Sequence, residues 1–267
     1  MPELNIDRRD RLAELVRRRG FVRVRDAADL LGVSDVTIRG DLSALETAGE
    51  LVRIHGGAMP TRAGDAQPAE FALEQSVALA VDAKERIGIA AAALVSSGQS
   101  IILDVGSTAL AVANALVRRD DLADISIITN GLSIALALEA ALPRFTVVLT
   151  GGTLRPLQHS LVNPGASAFL ESVHADLAII GCNGIDRANG VTNVNFPEAE
   201  IKRRMLASST RRVLVADAEK LGQTHLGVIG AVTDFDVLIT SEAADPATVE
   251  SLRAAGLDVL LAASSPV

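Results

Sequence analysis

The segment SDVTIRGDLSALETA, residues 34–48, decides the fold of the amino-terminal part of the chain. Ser34 is a favoured N-cap residue, and four apolar residues follow it at helical spacing, namely Val36, Ile38, Leu42 and Leu45. This pattern predicts a helix to about Ala48, with the four apolar residues packed beneath it. The outward face carries short polar and basic side chains, namely Thr37, Arg39 and Ser43. Side chains of this kind suit phosphates and base edges.

Two further helices are predicted before this segment. The first ends near Gly20 and is indicated by an amphipathic pattern of apolar residues, namely Ile6, Leu12, Leu15 and Val16. The second runs from about Arg25 to Leu31, and Gly32 then supplies a tight turn before the third helix. Two helices joined by a short glycine-containing turn are typical of DNA-binding units, although a plain bundle corner has the same pattern.

A wing is predicted directly after the third helix. Gly49 closes that helix, and Leu51–Ile54 followed by a Gly-Gly pair indicates a short strand and a turn. Arg53 and His55 lie in this wing, where they can reach a neighbouring phosphate or the minor groove. The sequence therefore predicts a winged helix-turn-helix, and its expected DNA contacts are Ser34, Thr37, Arg39, Arg53 and His55.

These residues resemble the head of the DeoR-type bacterial transcriptional regulators. The family signature is an Arg, apolar residues four and eight positions later, then a small residue and the motif T-I-R-x-D-L. The matching residues are Arg8, Leu12, Val16, Ser34 and the run TIRGDL at 37–42. Relatives usually carry Arg or Lys in place of Gly40, so a DNA contact is missing here and the glycine costs the helix about 1 kcal/mol relative to Ala. We expect Asp41 to pair locally with an Arg, and a helical oligomerisation domain without nucleic acid is the alternative.

Length and composition limit the other possibilities. The 267 residues are 49% hydrophobic and 22% charged, which is enough to bury a sizeable core and predicts two domains. Because no apolar span of about 20 residues is present, we expect no membrane segment and no signal peptide. A chain with a single cysteine favours a reducing, cytoplasmic location. The single cysteine, Cys182, cannot form an internal disulfide, and no cluster of Cys and His has metal-ligand spacing. Tyr and Trp are absent, which disfavours aromatic base stacking.

The charge is distributed unevenly along the chain. Residues 1–62 hold 11 Arg and 10 acidic residues, a net charge of +1, whereas the remaining 205 residues carry a net charge of −9. An acidic protein with an Arg-dense end is typical of a DNA-binding head on a metabolite-binding body, although a small excess of Arg is weak evidence by itself.

The rest of the chain has the pattern of a mostly parallel α/β domain. A linker is predicted at 59–82, where the run MPTRAGDAQ lacks periodicity, and it separates a DNA-binding domain at 1–58 from an effector-binding domain at 83–262. Short apolar runs predict strands at 101–105, 125–129, 146–150, 177–181, 213–216 and 237–240. Helical patterns lie between them at 83–95, 109–117, 132–142 and 198–208. This alternation predicts a parallel sheet with helices on both faces.

Loops rich in glycine and hydroxyl groups follow four of the predicted strands. They are DVGST at 104–108, TNG at 129–131, GGT at 151–153 and GCNG at 181–184. Such sheets bind ligands at the carboxyl ends of their strands, where glycine permits close approach and a helix start offers free N–H groups. Taken singly, each loop is better explained as an ordinary turn, but the four together predict a phosphate cradle.

The second domain also resembles the effector-binding half of the DeoR-type regulators, which is similar in fold to ribose-5-phosphate isomerase. The resemblance spans about 83–261 and rests on the four loops, on Lys84 and the apolar run after it, and on ADAEKLG at 216–222. It implies a site for a phosphorylated sugar. The residues that it implies for this site are Asp104, Gly106, Ser107, Thr108, Asn130, Gly131, Gly151, Gly152 and Lys220.

The three lysines stand out against 22 arginines. Lys84, Lys202 and Lys220 all occur where the family pattern has lysine, which indicates a need for a compact ammonium at some of these positions. Lys220, in a loop after a strand, is predicted to contact the ligand, and a solvated turn lysine is the alternative. Lys84 and Lys202 are predicted to make helix-surface or packing contacts.

An enzymatic role is the weaker interpretation. A sugar-phosphate isomerase needs a carboxylate base in its pocket, and the corresponding loop here offers only Asp186 at its far end. Glu198 and Glu200 lie at a predicted helix start, where the helix dipole explains them, and Cys182 is explained as a small buried residue that ends a strand. We therefore predict no catalytic residue, no cofactor and no metal site.

The residues together predict a transcriptional regulator, most simply a repressor of a sugar or carbohydrate catabolism operon, whose DNA affinity a phosphorylated sugar modulates. An activator of the same type and, less favoured, an isomerase-like enzyme are the alternatives. The expected partners are a double-stranded DNA operator and the phosphorylated sugar, with no membrane. A homo-oligomer is expected because one near-neutral head offers few DNA contacts.

Overall fold

The structure is a computed structural model that describes residues 2–19, 22–48, 50–54, 56–60, 70 and 72–263. The chain divides into two compact units, Met1–Leu79 and Ala80–Val267. The domain limits predicted from the sequence stay predictions. Within the predicted linker range, a strand includes residues 59 and 60, and a short helix spans Leu73–Val77.

The amino-terminal unit is a winged helix-turn-helix. Its helices are α1 (Pro2–Arg19), α2 (Val24–Leu31), α3 (Asp35–Thr47) and α4 (Leu73–Val77), and its strands are β1 (Val22–Arg23), β2 (Leu51–Ile54) and β3 (Gly57–Pro60). The strands form an antiparallel sheet in the order β1-β3-β2, so β2 and β3 make the predicted wing. Gly32 ends α2 with φ +66°, a conformation that favours glycine and sets the turn into α3.

A small core joins the three long helices of this unit to its sheet. Its fully or nearly fully buried members include Leu12, Val16, Ala27, Ile38, Leu42, Leu45 and Leu51. The sequence-based assignment of Val36 to this core was wrong, since its side chain is 78% exposed. Val36 precedes Ile38 by two residues, which places it about 200° around the helix from the buried stripe.

The carboxyl-terminal unit is a three-layer α/β structure. Its helices are α5 (Val81–Ala92), α6 (Ser107–Val117), α7 (Leu132–Leu138), α8 (Gly165–Glu171), α9 (Phe196–Ala207) and α10 (Pro246–Ala254). The strands of the main sheet are β4 (Ser100–Leu103), β5 (Ile125–Thr129), β6 (Phe145–Leu149), β9 (Ala175–Gly181), β12 (Ser209–Val215), β14 (Val237–Ser241) and β15 (Asp258–Ala262). Two further groups of short strands are antiparallel, namely β7 (Thr153–Arg155) with β8 (Ser160–Val162), and β10 (Gly184–Asp186) with β11 (Gly190–Asn193) and β13 (Gly227–Gly230).

The main sheet has the order β15-β14-β12-β9-β4-β5-β6, and all its pairings are parallel. All six predicted strands and the four predicted helices are confirmed, with ends that move by up to four residues. Strand β15, helices α8 and α10, and both antiparallel groups were missed. The strands are apolar on both faces: Ile101 and Leu103 pack with α5 to α7, while Ile102 packs with α8 to α10.

The chain order reverses direction beside β4. From β4 it proceeds outward through β5 and β6, and from β9 it proceeds outward on the other side through β12, β14 and β15. The neighbours β4 and β9 therefore flank a topological switch point, which is where open parallel sheets bind ligands. Among the helices that the structure describes, none is long and apolar enough to cross a membrane.

Candidate functional sites

The start of helix α3 is a well-formed cap. The Thr37 backbone N–H donates to Ser34 Oγ at 3.2 Å, and the two hydroxyl oxygens lie 2.9 Å apart. The exposed surface that follows contains Arg39, whose guanidinium has no ion-pair partner within the described residues. The helix therefore offers an unneutralised cation beside a capped amino terminus, as contact with a polyanion requires.

An ion cluster around one buried carboxylate holds α1 against α3. The Asp41 carboxylate is 3% exposed and accepts hydrogen bonds from Arg8 Nε at 2.6 Å and Arg9 Nε at 3.0 Å. Burial alone raises the pKa of Asp41, but these hydrogen bonds and the two positive charges outweigh it, so the net shift is downward. The expected local pairing of Asp41 with an Arg is confirmed, and Arg8 of the signature acts in folding.

Of the two DNA contacts predicted in the wing, Arg53 lies within the described residues. The Arg53 backbone N–H donates to Glu46 Oε1 at 3.0 Å, and its Nη1 lies 3.9 Å from Glu46 Oε2. Both side chains are well exposed, so this pair leaves Arg53 accessible to a phosphate. His55 lies outside the described residues.

The four predicted ligand loops lie side by side at the carboxyl ends of the main-sheet strands, which form one edge of the second unit. They follow β6, β5, β4 and β9, which are consecutive neighbours in the parallel sheet. Strands are about 4.8 Å apart, so the outermost of these loops starts about 10 Å from the loop after β4. The switch point between β4 and β9 falls within this group.

The centre of the edge is a fully buried ion pair between Asp104, after β4, and Lys202 of α9. Asp104 Oδ2 accepts from Lys202 Nζ at 2.5 Å and from the Gly181 N–H at 2.9 Å, and Lys202 also donates to the Gly181 carbonyl at 2.9 Å. The other carboxylate oxygen, Oδ1, is buried and has no hydrogen-bond partner within the described part of the chain. Burial raises the pKa of Asp104. Burial by itself would lower the pKa of Lys202, but the negative charges of Asp104 and Glu198 outweigh it, so the net shift is upward.

Helix α6 begins beside this pair. Gly106, its N-cap, has φ +100°, which favours glycine, and it is half-buried together with Ser107 and Thr108. The first intrahelical bond runs from the Leu110 N–H to the Gly106 carbonyl, so the preceding N–H groups have no partner inside the helix. This arrangement can accept an anion at the positive end of the helix.

Asn130 is held at the end of β5 by the β7–β8 hairpin. Its Nδ2 donates to the Leu161 carbonyl at 3.0 Å, and the Leu161 N–H donates to the Asn130 carbonyl at 2.7 Å. Its Oδ1 is buried without a partner among the described residues, as is Asp104 Oδ1. The site thus contains two buried acceptor oxygens that no group in the described part of the chain uses.

Packing accounts for two of the predicted site glycines. A Cβ at Gly131 would lie 2.8 Å from Ile134 and 2.9 Å from Val105, and a Cβ at Gly152 would lie 2.1 Å from the Val162 carbonyl oxygen. Gly151, which follows edge strand β6, has open space around its Cβ position and φ +72°.

Two of the three lysines are buried. Lys84 and Lys202 do not lie on helix surfaces but are buried and paired with carboxylates, which agrees with the predicted alternative of packing contacts. Lys84 Nζ is 3.9 Å from Asp217 Oδ2, and burial lowers its pKa to about 8, with Asp217 opposing and the charge of Lys220 reinforcing the shift. Lys220 is half-buried in a 3₁₀ turn after β12, close enough for its charge to act on Lys84.

Sequence reasoning missed a second ion pair, with a buried carboxylate, that borders the site. Arg155 of β7 donates to Glu198 Oε1 at 2.5 Å, and Ser160 Oγ donates to the same oxygen at 2.6 Å. Glu198 and Lys202 lie one turn apart on α9, and the carboxylate of Glu198 helps to raise the pKa of Lys202. The i, i+4 spacing of Glu198 and Lys202 was the sequence signal that these two charges share one face of α9.

Cys182, directly after β9, is half-buried against the core. Burial raises the pKa of its thiol to about 12, despite the opposing charges of Lys202 and Lys220. The thiol is protonated at neutral pH and has little nucleophilic character, which agrees with a packing role.

A capped recognition helix and wing in one unit, with an anion-accepting edge in the other, define a DNA-binding regulator that carries a ligand-sensing unit. Residues 8–61 match the DeoR-like helix-turn-helix domain, and residues 79–242 match the DeoR C-terminal sensor domain. The chain belongs to the DeoR family of transcriptional regulators.

Curated relatives align over most of the chain. The HTH-type transcriptional regulator GlpR of Haloferax volcanii is 34% identical over 96% of this chain and 98% of its own length. The glycerol-3-phosphate regulon repressor of Escherichia coli is 29% identical over 91% of this chain and 92% of its own length. Among solved structures, ribose-5-phosphate isomerase A of Methanocaldococcus jannaschii is 16% identical, with a TM-score of 0.39 over 52% of this chain and 54% of that chain.

Proposed function

We propose that this regulator represses a sugar or carbohydrate catabolism operon, and that a phosphorylated sugar bound between the ends of β4, β5 and β9 changes its affinity for DNA. The observation that carries the proposal is a pair of buried acceptor oxygens, on Asp104 and Asn130, that have no hydrogen-bond partner among the described residues and lie beside the glycine-led start of α6. Acceptor oxygens suit sugar hydroxyls, and a helix start suits a phosphate, so one molecule with both groups fits this edge.

Each residue then has a distinct role in the proposed site. Gly106, Ser107 and Thr108 bind the phosphate through backbone N–H and hydroxyl groups, and Lys220 adds a positive charge. Asp104 and Asn130 accept hydrogen bonds from the sugar. The glycines Gly131, Gly151 and Gly152 line the neighbouring loops, and a relative whose name includes glycerol-3-phosphate agrees with a phosphorylated ligand of this kind.

On the DNA side, α3 enters the major groove of a double-stranded operator. Thr37 and Arg39 contact the DNA next to the capping Ser34, while Arg53 and His55 hold the wing on the backbone. Two or more copies pair their heads on repeated half-sites in the cytoplasm, because a single head of net charge near +1 makes few phosphate contacts.

The carboxylates argue against an isomerase. Proton abstraction calls for a carboxylate whose charge is not neutralised by an ion pair, whereas Asp104 is paired with Lys202 and Glu198 with Arg155. Asp186 Oδ1 accepts from the backbone N–H groups of residues 188 and 189 and thereby caps a turn. We infer that the sensor unit binds its ligand without turnover.

The test is fluorescence anisotropy on DNA from the gene's own upstream region, titrated with a panel of sugar phosphates and the parent sugars at fixed salt. We expect one phosphorylated compound to weaken specific DNA binding, and the unphosphorylated sugar to have no effect. Lys220→Ala should bind DNA normally but respond to the compound more weakly. Arg211→Ala, an exposed cation at the opposite, amino-terminal half of β12, serves as the matched control and should respond normally.

Three results would contradict the proposal. If no phosphorylated compound changes DNA binding, a phosphorylated sugar is excluded as the effector. If a compound tightens DNA binding, the activator alternative is supported. Chemical conversion of the compound during the titration, detected by chromatography, would support the alternative that the protein is an enzyme.

A further inference from the structure

The recognition helix carries one apolar side chain that the protein does not bury. Val36, in the first turn of α3, is 78% exposed, whereas Ile38, Leu42 and Leu45 of the same helix are at most 4% exposed. The first turn of such a helix is the part that contacts base edges when the helix docks in the major groove. Val36 is therefore placed where an operator's bases are read, provided that α3 docks as proposed above.

The glycine at position 40 keeps Val36 uncovered. Residues 36 and 40 are one turn apart on the same face, and helical side chains lean toward the amino terminus, so a long side chain at 40 would lie over Val36. A Cβ built at Gly40 meets no atom within 4 Å, which means that packing does not require glycine there. Position 40 thus carries no side chain that could cover Val36.

Beside Val36 lie a pair of hydroxyl groups that are already engaged, an exposed cation, and the exposed carboxylate of Asp35, which interacts favourably with the amino-terminal end of the helix. Ser34 and Thr37 bond to each other at the cap, and Arg39, three residues after Val36, is an exposed cation. An apolar group next to an exposed cation on an exposed helix matches DNA better than an apolar protein surface, because DNA supplies phosphates beside an apolar methyl group. In the major groove, that group is the 5-methyl of thymine.

We propose that Val36 reads the 5-methyl group of a thymine in each operator half-site. Burying one methyl-sized group is worth about a fourfold change in affinity. The contact discriminates thymine from cytosine and, in a synthetic duplex, from deoxyuridine, which differs from thymidine in this region only by the absent methyl.

The experiment uses the full-length protein and a duplex of its upstream region, in which each thymidine of the protected segment is replaced in turn by deoxyuridine. At fixed salt, we expect the wild-type protein to lose about fourfold in affinity at one position in each half-site. Val36→Ala should bind the unmodified duplex about fourfold more weakly and should no longer distinguish thymidine from deoxyuridine at that position. Val77→Ala, an exposed valine of the same unit on α4, should behave as wild type.

A second variant tests the role of the glycine. Gly40→Arg should cover Val36 and reduce the difference between thymidine and deoxyuridine, while one added phosphate contact makes the salt dependence of log K steeper by about 0.9. The proposal is overturned if no deoxyuridine substitution weakens wild-type binding, or if Val36→Ala retains the discrimination. Loss of self-association in Val36→Ala with unchanged DNA selectivity would assign the residue to a protein contact instead. If the wild-type protein does not prefer this duplex to random DNA, the DNA-docking proposal falls first.

Discussion

Replacing Lys202 by Met should destabilise the sensor unit strongly. The substitution keeps the length of the side chain but leaves the Asp104 carboxylate, which is 0% exposed, with the Gly181 backbone N–H as its hydrogen-bond donor among the described residues. Removing one partner of a buried ion pair typically costs about 3–5 kcal/mol, since the remaining charge stays desolvated. We expect a loss in the free energy of unfolding within that range at pH 8.

The loss should depend on pH with a definite sign. Burial already raises the pKa of Asp104, and without the opposing charge of Lys202 it rises further. The folded variant then binds a proton more tightly than the unfolded chain, so the penalty is complete above the folded-state pKa and decreases as the pH falls toward the unfolded value near 3.9. The raised pKa of Lys202 keeps the wild-type ammonium charged between pH 5 and 8, so the wild-type pair should change less.

Urea denaturation at pH 5 and pH 8, followed by circular dichroism, measures this loss. Hydrogen exchange of β4 and α9 assigns the affected transition to the sensor unit. Adding Asp104→Asn to Lys202→Met should recover much of the stability, because the uncompensated charge is gone. The control is Arg204→Ala, which breaks an exposed pair with Glu171 and should cost at most about 1 kcal/mol. A Lys202→Met loss no larger than the control, or one that is the same at both pH values, would refute the reasoning.

Three further predictions concern other sites. Asp41→Asn should lower the free energy of unfolding of the head, measured by urea denaturation, by about 2 kcal/mol. Since the pKa of Asp41 is lowered, the stability that its carboxylate contributes in the wild type should be present above about pH 4 and decline below it. Gly152→Ala, with φ +120° and a Cβ 2.1 Å from a carbonyl oxygen, should lower the sensor unit's melting temperature by at least about twice as much as Gly98→Ala, which has open space; equal losses would contradict the packing argument. Burial lowers the pKa of Lys84 to about 8, so the unfolded chain holds the Lys84 proton more tightly than the folded one; the contribution of Lys84 to the free energy of unfolding should therefore rise between about pH 8 and pH 10, and urea denaturation of Lys84→Gln should lack this rise.

Local features of the fold were predictable because neighbouring residues determine them. The capping hydroxyl of Ser34, the turn glycine at position 32 and the alternation of apolar runs with helical patterns each depend on a few consecutive residues. The same holds for one element that was missed, since Asp245 caps α10 and Pro246 begins it, which is a readable start signal. The exposed position of Val36 also follows from the helical period.

The composition of the candidate effector site required the tertiary structure. Parallel strands bring their carboxyl ends together, so the sequence by itself determined that the four loops share one edge. It did not determine which helix face closes that edge: Lys202 meets Asp104 across 98 residues of chain, and Arg155 meets Glu198 across 43. A helical period shows which residues share a face, but only the packing of α9 on the sheet decides that this face is buried and that its charges must be paired.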